Sequence, residues 1–110
     1  MNAREICRRL ALAIGVDLIE LDRIEHAIDR YGDRFLERIF TPGELARYRH
    51  RVPELAARFA AKEAVSKALG TGIGIVHWRD IEIIHLPSGQ PTVRLHGKAA
   101  TIAELLGMKE

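Results

Sequence analysis

At 110 residues, 47% hydrophobic and 29% charged, the chain has room for one compact soluble domain. A net charge of +2 and a pI near 9.0 are too mild to argue for nucleic acid, though they suit an anionic ligand or an acidic partner if the cations cluster. A single cysteine, Cys7, excludes an internal disulfide framework and a cysteine-rich metal site, and fits a reducing compartment.

The chain opens with an apolar stretch from Leu10 to Val16 that is too short to span a bilayer. It runs into Asp17 without a small-residue cleavage site, so no membrane association and a cytoplasmic location are expected. "LALAIGVDLIEL", residues 10–21, reads as a buried strand interrupted by Asp17 and Glu20. "DRIEHAIDRYG" reads as a helix capped by Asp22, with Glu25 at the capping-box position and Gly32 as the stop. "DRFLERIF" is a second short helix with Phe35, Leu36, Ile39 and Phe40 on its apolar side. "TPGEL" opens a third: Thr41 caps, Pro42 occupies the first turn and Glu44 reaches back.

Pro53 opens a longer helix that contains "RFAAKEAVSKALGTGIG". On a helical wheel Ala57, Ala61, Ala64, Val65 and Ala68 share an arc that suits close packing on a sheet. Glu63 and Lys67, four apart, fall opposite, with Phe59 beside them; Arg58 and Lys62 form a second pair. An exposed Glu–Lys pair at this spacing is common and contributes only ~0.2–0.5 kcal/mol. The sharper reading is a metal and anion site, with Glu63 offering a hard oxygen to Mg²⁺ and the lysines neutralising phosphates. A lone carboxylate binds Mg²⁺ poorly, so a second acid is needed, and Asp17, set in an apolar strand, is the candidate. Glu20 and Asp22 read as strand-end and cap residues. Gly70 is a helix stop, and Gly72 and Gly74 permit a tight path or close ligand approach. These glycines follow a helix instead of preceding one, so they form neither a P-loop nor a dinucleotide fingerprint.

"DIEIIHL", "PSGQP" and "TVRLHG" read as a strand, a turn and a strand, hence a hairpin. "KAATIAELLG" is a closing amphipathic helix. The order predicts an α+β fold in which the hairpin and the first strand share a sheet packed by helices. The five histidines lack metal-ligand spacing, Ser66 lacks a nucleophile's partners, and Trp78 reads as packing. Arg23, Arg30, Arg34 and Arg38 form a basic helical surface that would suit an acidic helical protein.

"IGVDLIELDRI" and "RFAAKEAVSKALGTGIG" resemble the two main signatures of the holo-[acyl-carrier-protein] synthases, the short bacterial 4′-phosphopantetheinyl transferases. "GQP" and "LHGKAATIAELLG" agree with the same family, and the likeness runs from Ile14 to Gly107. The resemblance implies Mg²⁺-dependent transfer of the 4′-phosphopantetheine arm of coenzyme A to a serine of acyl carrier protein, in fatty acid biosynthesis. Adenosine 3′,5′-bisphosphate is the by-product. It implies that Asp17 and Glu63 hold the metal and that Lys67 sits near the pyrophosphate. Arg58, Lys62, Gly70, Gly72, Gly89 and Pro91 fall at coenzyme-site positions, and Arg23 and Arg30 on the side meeting the carrier protein. It also implies a homotrimer with coenzyme A between subunits. The attacking serine needs a base, either Glu63 or a metal-bound water. Residues 1–13 read as an N-terminal extension and 14–110 as the transferase domain. Family members continue past the last helix into further strands that have no match here. The alternative expectation is therefore a catalytically impaired module that binds coenzyme A or the carrier protein.

Overall fold

The computed structural model describes residues 18–107, with side chains from Glu20 onward. Four helices come first: α1 (Leu18–Tyr31), α2 (Asp33–Ile39), α3 (Pro42–Tyr48) and α4 (Val52–Ala68). A short 3₁₀ turn (Trp78–Asp80) leads into β1 (Ile81–His85), which is followed by β2 (Pro91–Leu95) and α5 (Gly97–Leu105). The fold is α+β, as expected, and among the described residues its sheet is the β1–β2 pair.

One boundary differs from the sequence reading. Residues 18–21 are the first turn of α1 and not the end of a strand, and Asp22 and Glu25 lie exposed within the helix instead of capping it. Leu21, Ile24 and Ile28, spaced three and four apart, form one stripe packed into the helical core. That stripe outweighs the β-like run of apolar residues before it. The strand expected before Leu18 lies outside the described residues, as does its pairing with the hairpin.

The other punctuation falls where local chemistry requires it. Gly32, with φ 58°, separates α1 from α2. Thr41 accepts from the Glu44 N–H while the Glu44 side chain accepts from the Thr41 N–H, a complete capping box with Pro42 in the first turn. α4 is stopped by Gly70, two residues past its last helical position, whose φ of 80° turns the chain so that the Thr71 and Gly72 N–H groups donate back to Ser66 O.

β1 and β2 are antiparallel with Ile81 opposite Leu95, Ile83 opposite Val93 and His85 opposite Pro91. The His96 N–H donates to Asp80 O at 2.7 Å and the Leu86 N–H to Gln90 O at 2.9 Å, closing the ladder at both ends. The connection Pro87–Ser88–Gly89 is a three-residue hairpin loop with Gly89 at φ 88°. Residues 80, 82, 84 and 86 therefore face β2, and the backbone of Ile81 and Ile83 faces the other way.

The core is two clusters that meet along α4. Ala61, Val65 and Leu69 pack on Val76, Ile81, Ile83 and the α5 alanines Ala99 and Ala103. Leu55, Ala56 and Phe59 pack on Ile24, Leu36, Phe40 and Tyr48 from α1–α3. Phe59 stacks on Trp78 with ring centroids 4.6 Å apart, so Trp78 is packing, as expected. Each large side chain buried this way contributes about 1.5–3 kcal/mol.

Candidate functional site at the α1–α4 seam

With apolar cores on two sides, α4 leaves a narrow strip for chemistry, and Glu63 and Lys67 occupy it. Glu63 is half-buried and Lys67, one turn on, is exposed. Ser66 Oγ donates to Glu63 O at 2.7 Å, so Ser66 is occupied within the helix. Burial pushes the Glu63 carboxyl above its ordinary range, and the charge of Glu20 on α1 pushes the same way. Lys67 and Arg23 oppose the shift. Four charged side chains thus share the seam: Glu20 and Arg23 from α1, Glu63 and Lys67 from α4.

Glu20 is the member that sequence reasoning missed. Arg23 Nη1 donates to Glu20 Oε2 at 3.3 Å, while Glu20 Oε1 is buried with no hydrogen-bond partner. A buried carboxylate oxygen without a donor, in the field of a second carboxylate, is the arrangement a divalent cation relieves. Among the described residues no group of three or more His, Cys, Asp and Glu converges on one point. A cation at this seam would therefore take few protein oxygens, as Mg²⁺ commonly does. Asp17, the second acid expected from the sequence, lies outside the described residues.

Lys62 is not on the charged strip. Its side chain is 0% exposed and its ammonium meets Glu44 Oε1 at 2.8 Å, with Glu44 itself 1% exposed. The ammonium also donates to Trp78 O at 3.2 Å and, closely, to Ile81 O. The Glu44 carboxylate accepts in addition from the Thr41 N–H at 2.9 Å and the Ile83 N–H at 3.0 Å. This corrects the expectation of a phosphate-facing Lys62: its donors are spent on interior acceptors, and burial lowers its pKa despite Glu44.

Arg58 lies in a third environment, four residues before Lys62 on α4. It is 7% exposed, and its guanidinium sits 3.9 Å from the centroid of the Tyr48 ring. It donates to Glu54 O at 3.0 Å and meets His85 Nε2 at 3.4 Å, while Arg58 Nε is buried without a partner. Arg47 and Arg51 approach the same ring at 5.7 and 5.9 Å. Burial first, and then the charges of Arg58 and Arg47, hold the His85 imidazole below its ordinary pKa. His85 is opposite Pro91 in the hairpin register, and Gly89 occupies the adjoining loop.

The remaining predicted residues are backbone or surface features. Gly70 and Gly72 have φ of 80° and 65°, and nothing lies within 4 Å of where a Cβ would be. Their glycine requirement in the folded chain is conformational. Arg23 and Arg30 are exposed on α1, and Arg30 lies 5.6 Å from the Tyr31 ring centroid. An open cleft of about 400 Å³ between Phe40, Leu45, Arg49 and Arg79 contains none of the seam residues.

The arrangement can be set beside known proteins. The 4′-phosphopantetheinyl transferase superfamily matches residues 13–109. The holo-[acyl-carrier-protein] synthase of Solibacter usitatus is 52% identical over 104 residues, covering 91% of this chain and 83% of the relative. That of Gloeobacter violaceus is 51% identical over 98 residues, covering 86% and 74%. Among solved structures, the Helicobacter pylori holo-[acyl-carrier-protein] synthase in complex with coenzyme A superposes with a TM-score of 0.71. It is 33% identical, over 82% of this chain and 76% of that one. The Neisseria meningitidis synthase gives 0.71 at 41% identity, over 82% and 75%. With residues 13–109 matched by the family and 52% identity to the Solibacter usitatus synthase over 91% of its length, the chain belongs to the 4′-phosphopantetheinyl transferase superfamily.

Proposed function

We propose that this chain transfers the 4′-phosphopantetheine group of coenzyme A to a serine of acyl carrier protein, a reading supported by its membership of the 4′-phosphopantetheinyl transferase superfamily and its likeness to holo-[acyl-carrier-protein] synthases. The reading extends to adenosine 3′,5′-bisphosphate as the released product and Mg²⁺ as the metal. The observation that carries it is Glu63: a half-buried carboxyl in the field of Glu20, with Lys67 one turn on, in a chain 52% identical to a holo-[acyl-carrier-protein] synthase. Asp17 and Glu63 are the residues that would hold Mg²⁺, and the orphaned Glu20 oxygen beside Glu63 suits a cation at this seam. When bound, the ion supplies neutralisation of charge on the phosphoryl oxygens.

The chain's own groups do the rest. In the transfer a bond forms between the serine oxygen and phosphorus, and the phosphorus–oxygen bond to the bisphosphate breaks. Lys67, exposed beside Glu63, stabilises the negative charge that accumulates on the leaving phosphate. The serine proton must be accepted as that bond forms, and a carboxylate at the seam such as Glu63 has the right chemistry to accept it. Arg58, Arg47 and Arg51 around Tyr48 concentrate positive charge beside the hairpin end where Pro91 and Gly89 lie, which suits the phosphates of the coenzyme. Arg23 and Arg30 offer an exposed basic surface to the carrier protein.

The inferred assembly is a homotrimer. Leu105, Ile75 and Leu86, 82%, 56% and 43% exposed, are apolar surface that subunit contact would cover. No described helix is long and apolar enough to cross a membrane, and we place the enzyme in the cytoplasm with its carrier protein.

The test is the mass of an apo acyl carrier protein after incubation with the chain, coenzyme A and Mg²⁺. A phosphopantetheine increment is expected with the wild type and none with Asp17→Ala or Glu63→Ala. An unmodified carrier protein with the wild type, or full modification by those variants, refutes the reading. Light scattering tests the trimer, and a monomer at working concentration refutes that part.

A further inference from the structure

The backbone of Ile81 and Ile83 faces away from β2, so its donor and acceptor would ordinarily be met by a third strand. Side chains meet two of these groups here, while the Ile81 N–H donates to Trp78 O. Glu44 Oε2 accepts from the Ile83 N–H, and the Lys62 ammonium donates to Ile81 O. The buried Glu44–Lys62 pair therefore stands where a neighbouring strand would, one partner on α3 and the other on α4. Lys62 also holds Trp78 O, and Glu44 also holds the Thr41 N–H. The pair joins four segments: the α3 cap, α4, the 3₁₀ turn and β1.

This has a consequence for the next residue. On α4 each step turns about 100°. Once the Lys62 stem is fixed in the interior by several directional bonds, the roll of α4 is fixed, and with it the direction in which the next residue, Glu63, leaves the helix that packs against α1. Phe59 and Val65 hold the roll through the two cores, and the Lys62 bonds add direction beside Glu63, where the nearest side chains Ala60, Ala61 and Ala64 are small. We propose that Glu44 is a positioning residue for the reaction: by holding the Lys62 ammonium it fixes the angle at which α4 presents Glu63 to the cation. This rests on the reading of Glu63 as a cation-holding acid given above.

The experiment measures Mn²⁺ affinity by electron paramagnetic resonance, with saturating coenzyme A, on the full chain. The informative variant is Glu44→Met/Lys62→Met, which replaces both partners by apolar groups of similar size; its folding is checked by circular dichroism. A positioning role predicts a folded double variant that binds Mn²⁺ about 10–100-fold more weakly, the usual effect of losing an outer partner. Turnover number should fall with it while the KM for carrier protein stays unchanged. A folded double variant with wild-type Mn²⁺ affinity overturns the proposal. Should the double variant not fold, Glu44→Gln, nearly the same shape, is measured per folded molecule by the same criteria. Glu63→Gln is the control that separates the two inferences. If it loses Mn²⁺ while the Glu44 variants keep it, positioning alone fails. If Glu63→Gln binds Mn²⁺ like the wild type, the cation role of Glu63 fails and the positioning role with it.

Discussion

Replacing Lys62 by methionine should destabilise the fold far more than a surface lysine would. The ammonium is fully buried and meets Glu44, Trp78 O and Ile81 O. Methionine keeps most of the stem's packing and removes the charge, so the loss reports the polar contacts. Breaking a buried pair from one side costs about 3–5 kcal/mol, because the surviving charge is stranded. Glu44 would retain the N–H donors of Thr41 and Ile83, which places the expected loss near the lower end, about 3 kcal/mol. Against a typical domain stability of about 5–15 kcal/mol, that is a large fraction.

The double replacement Glu44→Met/Lys62→Met separates attraction from desolvation. Burial lowers the Lys62 pKa even with Glu44 in contact, so desolvation outweighs the attraction. A base whose folded pKa lies below its unfolded value stabilises fully only above the unfolded pKa, near 10.5 here, and that stability is lost as pH falls through the folded pKa. At neutral pH the charged Lys62 is accordingly a burden on the fold. The double variant strands no charge but leaves the Ile83 and Thr41 N–H groups and the Trp78 and Ile81 carbonyls without these partners, so it should be destabilised, yet by less than the two singles summed. Urea unfolding followed by circular dichroism on the wild type, both singles and the double gives the coupling energy. A single variant that loses less than about 1 kcal/mol, or a double that loses as much as the two singles summed, would refute the reasoning.

The remaining predictions concern sites away from that pair. The His85 pKa is lowered from 6.5 by burial and by Arg58 and Arg47, so stability should be level above the ordinary histidine range and fall as pH drops through the lowered value. Melting temperature against pH checks it, and His85→Gln should flatten that limb. Thr41→Ala removes both the α3 cap and the 2.7 Å bond to Glu82 Oε2. It should cost about 1–2 kcal/mol by chemical unfolding. Gly70→Ala has open space but a φ of 80°, so it should cost about 1–2 kcal/mol in stability; a neutral result would mean the backbone relaxes there.

What was legible in the sequence is what a few neighbouring residues determine. Thr41, Pro42 and Glu44 write a helix start within four positions, and Gly70 writes a stop, because capping is a local hydrogen-bond problem. The hairpin follows from the alternation around Ser88 and Gly89. The first turn of α1 was not legible as helix, since a short apolar run satisfies both periods and only the stripe of Leu21, Ile24 and Ile28 decides it. Lys62 was misread for a related reason. Four residues from Arg58 and adjacent to Glu63, it completes a charged helix face on paper, and nothing nearby in the sequence announces that its partner is a capping glutamate on another helix.

That same glutamate explains why the seam can be narrow. A capping box uses one Glu44 oxygen on the Thr41 N–H, and the other remains for a distant group. Spending it on Ile83, with Lys62 drawn in to balance the charge, lets α4 bury both flanks while keeping every polar atom of the pair bonded. The Glu63–Lys67 strip is then left for water, the cation or the substrate to complete. Helix packing through Phe59 and Val65 sets the coarse roll of α4, and the alanines between them leave room for a small adjustment. A carboxylate that must meet a cation tolerates much less, because hard-ion contacts are fixed to within tenths of an ångström. The directional bonds in the interior and the exacting chemistry at the surface are thus joined by one peptide unit, from Lys62 to Glu63.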